Sequence, residues 1–381
     1  MSDWARVAAL LFAVGWGANH FVPLLIVYRE SLHLTSLDVA AMFGVYAIGL
    51  VPGLLLGGPL SDRRGRRLVV LPSAILALSG TVILGVAGGF PLLLLGRLVV
   101  GAGSGATFSA GTAWVQDLSK SAAEGQGARR AAVALSAGFG VGPLVAGLVA
   151  QWAPLPMRLP YVIQATVAIA TTFLAWSAPG RAREQTPQAG PPSSRLPPGF
   201  FRDLVPFAPW VFGFPAIAFA VLPALIRSHL GAFAVAYAGV VTAATLLAGV
   251  VAQPFVRRIA PRLAAVWGLV FGGAGLVVGL LATALGAPLG VLLASIFLGV
   301  GYGACLIAGL RWVEITSPPA TRGRVVGVFY AFTYIGFTAP FLMAALARRA
   351  GEGSGIIVAA AVVAVTALYT RRRRWACETP R

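Results

Sequence analysis

Two polar side chains that are capable of chemistry interrupt long apolar runs in the first hundred residues. His20, next to Asn19, lies in the run 7–28, and Arg97 lies in the run 91–114. Because histidine titrates near neutrality, His20 is a candidate proton carrier; an equally open alternative is a structural histidine satisfied by a neighbouring helix. An arginine inside a membrane costs about 2.5–3.5 kcal/mol, so Arg97 should face a partner or water. Alternatively, its long side chain extends to the outer surface.

A dense charged segment, GGPLSDRRGRR at residues 57–67, lies between the apolar runs 37–57 and 68–88. Each run is long enough to cross a bilayer, and a membrane core requires both to be helices. We therefore expect the segment to form a tight loop at the membrane surface. One hypothesis is that Asp62 binds the N-terminus of another helix, where a carboxylate gains about 0.3–1 kcal/mol. The alternative is that the four arginines of the segment only anchor the loop to lipid, but this explains neither Asp62 nor Gly65.

The composition is typical of a polytopic membrane protein. The chain has 381 residues, of which 58% are hydrophobic and 10% charged, and its mean hydropathy is +0.85. Soluble domains carry about 25% charged residues. The net charge of +18 does not indicate nucleic-acid binding, because the basic residues lie in short segments between apolar runs.

The sequence contains no pattern for catalysis or metal binding. The three histidines, His20, His33 and His229, are far apart, and Cys305 and Cys377 lie in an apolar run and in the terminal tail. We therefore expect no enzyme activity, no cofactor and no metal site.

We expect twelve membrane helices, at about 7–28, 37–57, 68–88, 91–114, 131–152, 159–178, 204–226, 232–253, 263–284, 288–310, 325–347 and 354–370. Residues 1–178 would form an N-terminal six-helix half and 204–370 a C-terminal half. A Pro-rich cytoplasmic linker (179–203) would join them, and a basic cytoplasmic tail (371–381) would follow. With both termini cytoplasmic, 22 lysines and arginines lie on that side and five on the other, as the positive-inside rule requires. The expected location is the plasma (inner) membrane.

An internal repeat supports the division into two halves. Residues 100–119 align with 298–317 at a constant shift of 198, and nine of the twenty positions are identical. The identities include alternate glycines and the pairs Trp114/Trp312 and Val115/Val313. Two similar halves in the same order are typical of parallel-repeat transporters, in which the halves rock about a midplane site.

The charged segment closely resembles the loop between the second and third helices of the major facilitator superfamily, G-x-L-a-D-r-x-G-r-r. The matching residues are Gly58, Leu60, Asp62, Arg63, Gly65, Arg66 and Arg67. In that family the aspartate contacts the start of the eleventh helix, and the arginine four residues on contacts an acid at the inner end of the fourth. The resemblance therefore implies a cytoplasmic gate made of Gly58, Asp62, Gly65, Arg66 and Asp117.

Two further patterns resemble the same family. Arg97-x-x-x-Gly101 matches an arginine motif that the family uses in proton coupling. Gly138-x-x-x-Gly142-Pro143-x-x-Ala146-Gly147 resembles the antiporter motif G-x-x-x-G-P-x-x-G-G, which marks exporters, with alanine in one glycine position. Small residues four apart also occur in ordinary helix packing.

The middle of every predicted span lacks Asp and Glu, whereas cation-selective exporters of this family usually carry a carboxylate in the first helix. We expect Asn19, His20, Arg97, Tyr302 and Tyr334 to line the substrate cavity, with His20 and Arg97 coupling transport to protons. The expected substrate is small, lipophilic and neutral or anionic.

The sequence thus predicts an all-α membrane protein that acts as a monomer and exports its substrate by alternating access in exchange for protons. Besides substrate and protons, its expected partner is membrane lipid. We expect no binding of nucleic acid. A facilitator or proton symporter for a metabolite is the alternative, followed by a membrane receptor that transports nothing and by a membrane-embedded enzyme.

Overall fold

The computed structural model describes residues 1–123, 126–180 and 196–378, and their regular secondary structure is helical. Twelve apolar helices follow one another: α1 (Asp3–Ser31), α2 (Leu37–Arg64), α3 (Arg66–Val86), α4 (Phe90–Asp117), α5 (Gln126–Trp152), α6 (Leu159–Trp176), α7 (Trp210–Leu225), α8 (Arg227–Val256), α9 (Pro261–Ala284), α10 (Pro288–Thr316), α11 (Val325–Ala350) and α12 (Ser354–Arg372). In this part of the chain, eleven are long and apolar enough to cross a membrane, and α7 is shorter.

The described residues divide into two compact units. The first contains residues 1–180 together with Val235–Ala243 of α8, and the second contains 196–234 and 244–378. Positions 181–195 of the predicted linker and 379–381 of the predicted tail lie outside the described residues. The predicted domain boundaries stay a prediction.

Alternate glycines position α4 at the centre of the first unit. A Cβ on Gly101 or Gly105 would collide with the carbonyls of Tyr46 or Leu50 in α2, and a Cβ on Gly103 would collide with the backbone of α3 at Ala77. Because glycine has no side chain, the three backbones approach closely. The α4 helix therefore packs between α2 and α3.

The repeat reproduces this packing in the second unit. A Cβ on Gly299 or Gly303 of α10 would collide with the carbonyls of Thr245 or Gly249 in α8, and Gly301 lies against Gly268 of α9. Glycines at equivalent positions thus set equivalent helix contacts in the two units. The sequence identity at a shift of 198 reflects this shared packing.

Local interruptions occur in four of the described helices. The α1 helix is interrupted at His20, between segments Asp3–Asn19 and Phe21–Ser31. The α7 helix contains a π-helical turn at Ile217–Val221 after Pro215, as expected where proline removes a backbone donor. The α8 helix passes through a 3₁₀ turn at Gly231–Phe233 near its start. The α11 helix passes through a 3₁₀ turn at Ile335–Thr338.

Candidate functional site

The charged segment at residues 57–67 is mostly helical, so the prediction of a tight surface loop was wrong. The α2 helix continues through Arg64 and α3 begins at Arg66, which leaves Gly65 alone to turn the chain. Gly65 has φ 97°, a conformation that residues with a Cβ rarely adopt. A single glycine can therefore replace a loop, and the charged side chains lie on helical turns.

Arg66 is the centre of a cluster beside this turn, which we call the Arg66 clamp (Ser61, Asp62, Arg66 and Asp117). Its Nη1 contacts Asp62 Oδ1 at 2.6 Å and donates to Ser61 Oγ at 2.7 Å, and its Nε donates to Asp117 Oδ2 at 2.8 Å. The Arg66 side chain is 6% exposed, against 43% for Asp62 and 25% for Asp117. One buried guanidinium therefore ties the α2–α3 turn to the end of α4.

Three of the five predicted gate residues, Asp62, Arg66 and Asp117, belong to the clamp, and Gly65 forms the turn beside it. Gly58 lies one turn before Asp62 in α2, where a Cβ would meet Ser109 Oγ of α4. Ser61 was not predicted from the sequence, although a hydroxyl five residues before Arg66 could have been recognised as a hydrogen-bond acceptor for that arginine. The predicted contact between Asp62 and the start of α11 stays a prediction.

Arg97 is fully buried in α4. Its Nε donates to Met42 O at 3.3 Å, and its Nη1 donates to Ala18 O at 3.1 Å. The rings of Phe21 and Tyr46 lie 3.5 and 4.1 Å from its Cζ, at distances where a cation is attracted to a ring face. The side chain therefore points into the first unit, away from the outer surface.

His20 is also fully buried, at the interruption of α1. Its Nδ1 lies 3.0 Å from Gly17 O. Because a carbonyl only accepts, Nδ1 carries the proton, and Nε2 of the neutral ring is an acceptor. This Nε2 has no hydrogen-bond partner among the described residues. His20 thus has one satisfied donor and one acceptor that is free in this part of the chain.

Two α6 residues that the sequence analysis missed contact α1 beside His20. The Tyr161 ring packs against the imidazole with centroids 4.6 Å apart, and its hydroxyl accepts from Tyr28 Oη at 2.5 Å. Gln164 donates from Nε2 to Ala13 O at 3.0 Å. Tyr161 and Gln164 are three residues apart and so share one face of α6, which is the sequence signal that was available.

The antiporter-like motif packs α5 onto α1. A Cβ on Gly138 would collide with Phe12 O, and one on Gly142 would lie within 3 Å of Trp16. Pro143 lies inside α5, and Gly147 lies against Gly239 of α8 in the same unit. Each motif glycine therefore permits a close backbone contact.

The five predicted cavity residues belong to different units. Asn19, His20 and Arg97 lie in the first. Tyr302 and Tyr334 lie in the second, where both stack on Phe212 of α7, with ring centroids 6.1 and 4.6 Å away. Phe212 was not singled out from the sequence. The tyrosines thus form an aromatic cluster with α7.

Two equivalent tryptophans bind the first and last residues of the predicted linker. In the first unit, Trp114 Nε1 donates to Pro179 O at 2.9 Å. In the second, Trp312 Nε1 donates to Asp203 Oδ2 at 3.2 Å. Their equivalence follows from the repeat, but the acceptors differ between the units.

Asp203 also fixes the C-terminal tail to the second unit. This carboxylate is buried, accepts from Ala376 N at 2.7 Å and pairs with Arg202 Nε at 2.8 Å. Hydrogen bonding to Asp203 raises the pKa of Arg202. Next to Ala376, the buried Trp375 stacks on Phe207 with ring centroids 5.6 Å apart. The sequence placed Asp203 at the linker boundary without a role.

The connection between α8 and α9 is held differently from the α2–α3 turn. Arg311 of α10 donates from Nη1 to the carbonyls of Arg257 and Ile259. The position 198 residues earlier is Ala113, so this contact has no counterpart at that position. The two units therefore share their glycine packing but differ in their charged contacts.

Comparison with known proteins identifies the family. Residues 7–222, more than half of the chain, match the family model described as Major Facilitator Superfamily. The chain belongs to the Major Facilitator Superfamily. Membership of this superfamily gives the chain a multi-pass membrane architecture, with twelve helices in two six-helix halves.

Individual superfamily members are distant in sequence. The quinolone resistance protein NorA of Staphylococcus aureus is 24% identical over 159 residues, 42% of this chain and 40% of NorA. A probable polyol transporter 3 of Arabidopsis thaliana is 28% identical over 101 residues, 26% of this chain and 20% of that protein. The match therefore spans about two fifths of NorA.

The fold comparison covers the whole length. A crystal structure of a variant of the nucleoside transporter NupG matches with a TM-score of 0.75 at 13% identity, covering 97% of this chain and 99% of the other. At this identity, the likeness shows the superfamily fold alone.

Proposed function

We propose that this transporter exports a small lipophilic molecule, neutral or anionic, by alternating access and in exchange for protons. The observation that carries the proposal is the buried His20, whose Nε2 is an acceptor without a partner among the described residues. A histidine held by Nδ1 can take up a proton at Nε2 without losing its bond to Gly17 O. His20 is the proposed proton carrier.

Arg97 supports the proposed substrate class and coupling. It is a permanent cation close to His20 in the first unit, and its own hydrogen bonds go to backbone carbonyls of α1 and α2. A proton on His20 therefore adds a second positive charge beside the first, and a substrate that donates a hydrogen bond to His20 Nε2 would compete with the proton for that atom, as exchange requires. Binding of substrate and of proton would in this way influence each other.

Export is the proposed direction for two reasons. The relative NorA is named for quinolone resistance, and the motif at residues 138–147 resembles the antiporter motif that marks exporters in this superfamily. The Arg66 clamp is the proposed cytoplasmic gate, which would hold that side closed in one state and release it in the other. Both termini are proposed to be cytoplasmic, in the plasma membrane.

The coupling is tested with two substitutions of His20 that cannot titrate. His20→Asn places an amide near Nδ1 and keeps a donor for Gly17 O, whereas His20→Gln places its amide near Nε2. A thermal-shift screen of the purified protein against antibiotics and metabolites, beginning with quinolones, would supply the substrate. In proteoliposomes, both variants should retain substrate binding and counterflow exchange and lose uphill transport driven by a pH gradient.

Accumulation of substrate against its gradient by both variants would show that His20 is structural. The acids at the helix ends, Asp62, Asp117 and Glu314, would then be the candidates. A variant that also loses counterflow reports a folding defect, which thermal unfolding of the same preparation identifies, and the other variant then decides.

A facilitator or proton symporter for a metabolite is the second candidate. The likeness to a probable polyol transporter favours it. Adding substrate to proteoliposomes discriminates between these mechanisms. An exporter that exchanges substrate for protons moves them in opposite directions, a symporter moves both in one direction, and a facilitator leaves the internal pH unchanged.

A further inference from the structure

A groove of about 650 Å³ runs between α3 and α6 on the surface of the first unit. This volume is within the range of roughly 300–1,000 Å³ that is typical of ligand pockets. Most of its lining is apolar, with Ile75 and Leu78 from α3 and Ile169 and Phe173 from α6. Ile75, Ile169 and Phe173 are exposed at the surface of the unit, where membrane-spanning helices face lipid.

Charge is confined to one end of the groove, and the hydroxyl of Thr172 farther along the lining donates to Ala168 O of its own helix. Arg67, one residue into α3, lies there with Trp176 and Ser177 at the end of α6. The Arg67 guanidinium is 5.8 Å from the Trp176 ring centroid, and within the described residues it forms no ion pair. Arg6 adds a second guanidinium by donating to Ser177 Oγ at 2.9 Å, and it pairs with Asp3.

The length of the groove corresponds to one leaflet of a membrane. Arg67 and Leu78 are eleven residues apart in α3, which is about 16 Å at the helical rise of ~1.5 Å per residue. Half of a ~30 Å hydrocarbon core is about 15 Å. Trp176 lies at the charged end, at the level where interfacial tryptophans are enriched. The groove therefore has a cationic end at the membrane surface and an apolar floor that reaches the midplane.

We propose that this groove binds one anionic phospholipid, with the phosphate at Arg67 and an acyl chain along Ile75, Leu78 and Ile169. A zwitterionic lipid offers no net charge to the Arg67 guanidinium. A free phosphate would leave the apolar floor empty. The ligand that matches both parts of the groove is thus an anionic headgroup carrying a hydrocarbon chain.

The headgroup position is tested by native mass spectrometry of the full-length protein. Delipidated protein is reconstituted with equal amounts of phosphatidylglycerol and phosphatidylcholine, and the lipids retained on activation are counted. A basic residue near a membrane surface contributes about 1 kcal/mol towards anionic lipid, or roughly a fivefold preference. Wild type should show this preference for phosphatidylglycerol, and Arg67→Gln should lose it.

The matched control is Arg64→Gln, which removes the same charge on the other side of Gly65 from an exposed arginine outside the groove. It should keep the preference of the wild type. Equal losses in Arg64→Gln and Arg67→Gln would overturn the proposal in favour of diffuse surface charge, as would equal retention of the two lipids by wild type.

The chain position is tested by Leu78→Trp, which fills the apolar floor, against Leu92→Trp on an exposed position of α4. Only Leu78→Trp should lower phosphatidylglycerol retention, and unchanged retention would place the chain elsewhere. Excess glycerol 3-phosphate should not displace the lipid, and displacement would show that the site binds the phosphate alone. These readouts do not depend on transport, so they stand or fall separately from the proposed exchange mechanism.

Discussion

The Arg66 clamp allows stability and gating to be separated with two similar substitutions, Asp62→Asn and Asp117→Asn. Both remove one carboxylate charge from the same guanidinium. Asp117 is three-quarters buried, and a hydrogen bond to a charged group in such a site contributes about 1.5–3 kcal/mol. Asp62 is 43% exposed and lies across the Gly65 turn from Arg66, and ion pairs with an exposed partner contribute about 0.2–1 kcal/mol.

We therefore expect Asp117→Asn to unfold at a clearly lower temperature and Asp62→Asn to unfold close to wild type. If Asp62 closes the cytoplasmic gate, Asp62→Asn should nevertheless abolish transport. The assays are thermal unfolding in detergent and substrate uptake by proteoliposomes containing equal amounts of protein. Lys120→Gln is the control. Lys120 also pairs with Asp117, at 3.4 Å from Oδ1, but its side chain is exposed, so the pair contributes little to stability. This variant should resemble wild type in both assays.

Wild-type transport by folded Asp62→Asn would refute the gate and leave the arginines as lipid anchors. A loss of stability in Asp62→Asn as large as in Asp117→Asn would refute the reasoning from exposure. In that case, a defect in transport by Asp62→Asn would carry no information about gating.

Three other predictions concern packing, the tail and orientation. Gly303→Ala should lower the unfolding temperature, since overpacking costs about 1–3 kcal/mol. The control Gly44→Ala should leave the unfolding temperature unchanged, because Gly44 has open space around it. Equal effects of the two substitutions would contradict the close packing of α8 and α10. Asp203→Asn should speed thiol modification of Cys377, because the tail loses a charged acceptor; an unchanged rate would show that stacking alone holds the tail. Ser354→Cys, in a cysteine-free background, should react with an impermeant thiol reagent in intact cells, and protection would reverse the proposed orientation.

The helices were predictable because a membrane span depends mainly on the local transfer free energy of its own residues. Eleven of the twelve predicted spans correspond to long apolar helices, and the remaining one, the seventh span at 204–226, contains the shorter α7. Prolines within 204–226 explain why α7 is interrupted, although hydropathy alone does not register them. The same limitation produced the wrong loop at residues 57–67, since hydropathy cannot show that a single glycine turns the chain.

The sequence also indicated which residues matter in the clamp and in the repeat. Asp62 and Arg66 are four residues apart, on the two sides of Gly65, so their contact is local in sequence, whereas Asp117 was available only through the family resemblance. The glycines of α4 and α10 were recognised by their identity at a fixed shift. Their purpose, close contact with two neighbouring helices, required the packed structure.

The tertiary structure decided the surroundings of the buried polar residues. Arg97 contacts Ala18, Phe21, Met42 and Tyr46, which come from two other helices. Such contacts depend on how each helix is rotated and how far apart the helices lie. Hydropathy is nearly insensitive to rotation, because most faces of a membrane helix are apolar. The sequence by itself therefore determined the spans, the repeat and the charged motif, while the partners of Arg97 and the groove beside Arg67 arise only when the helices pack.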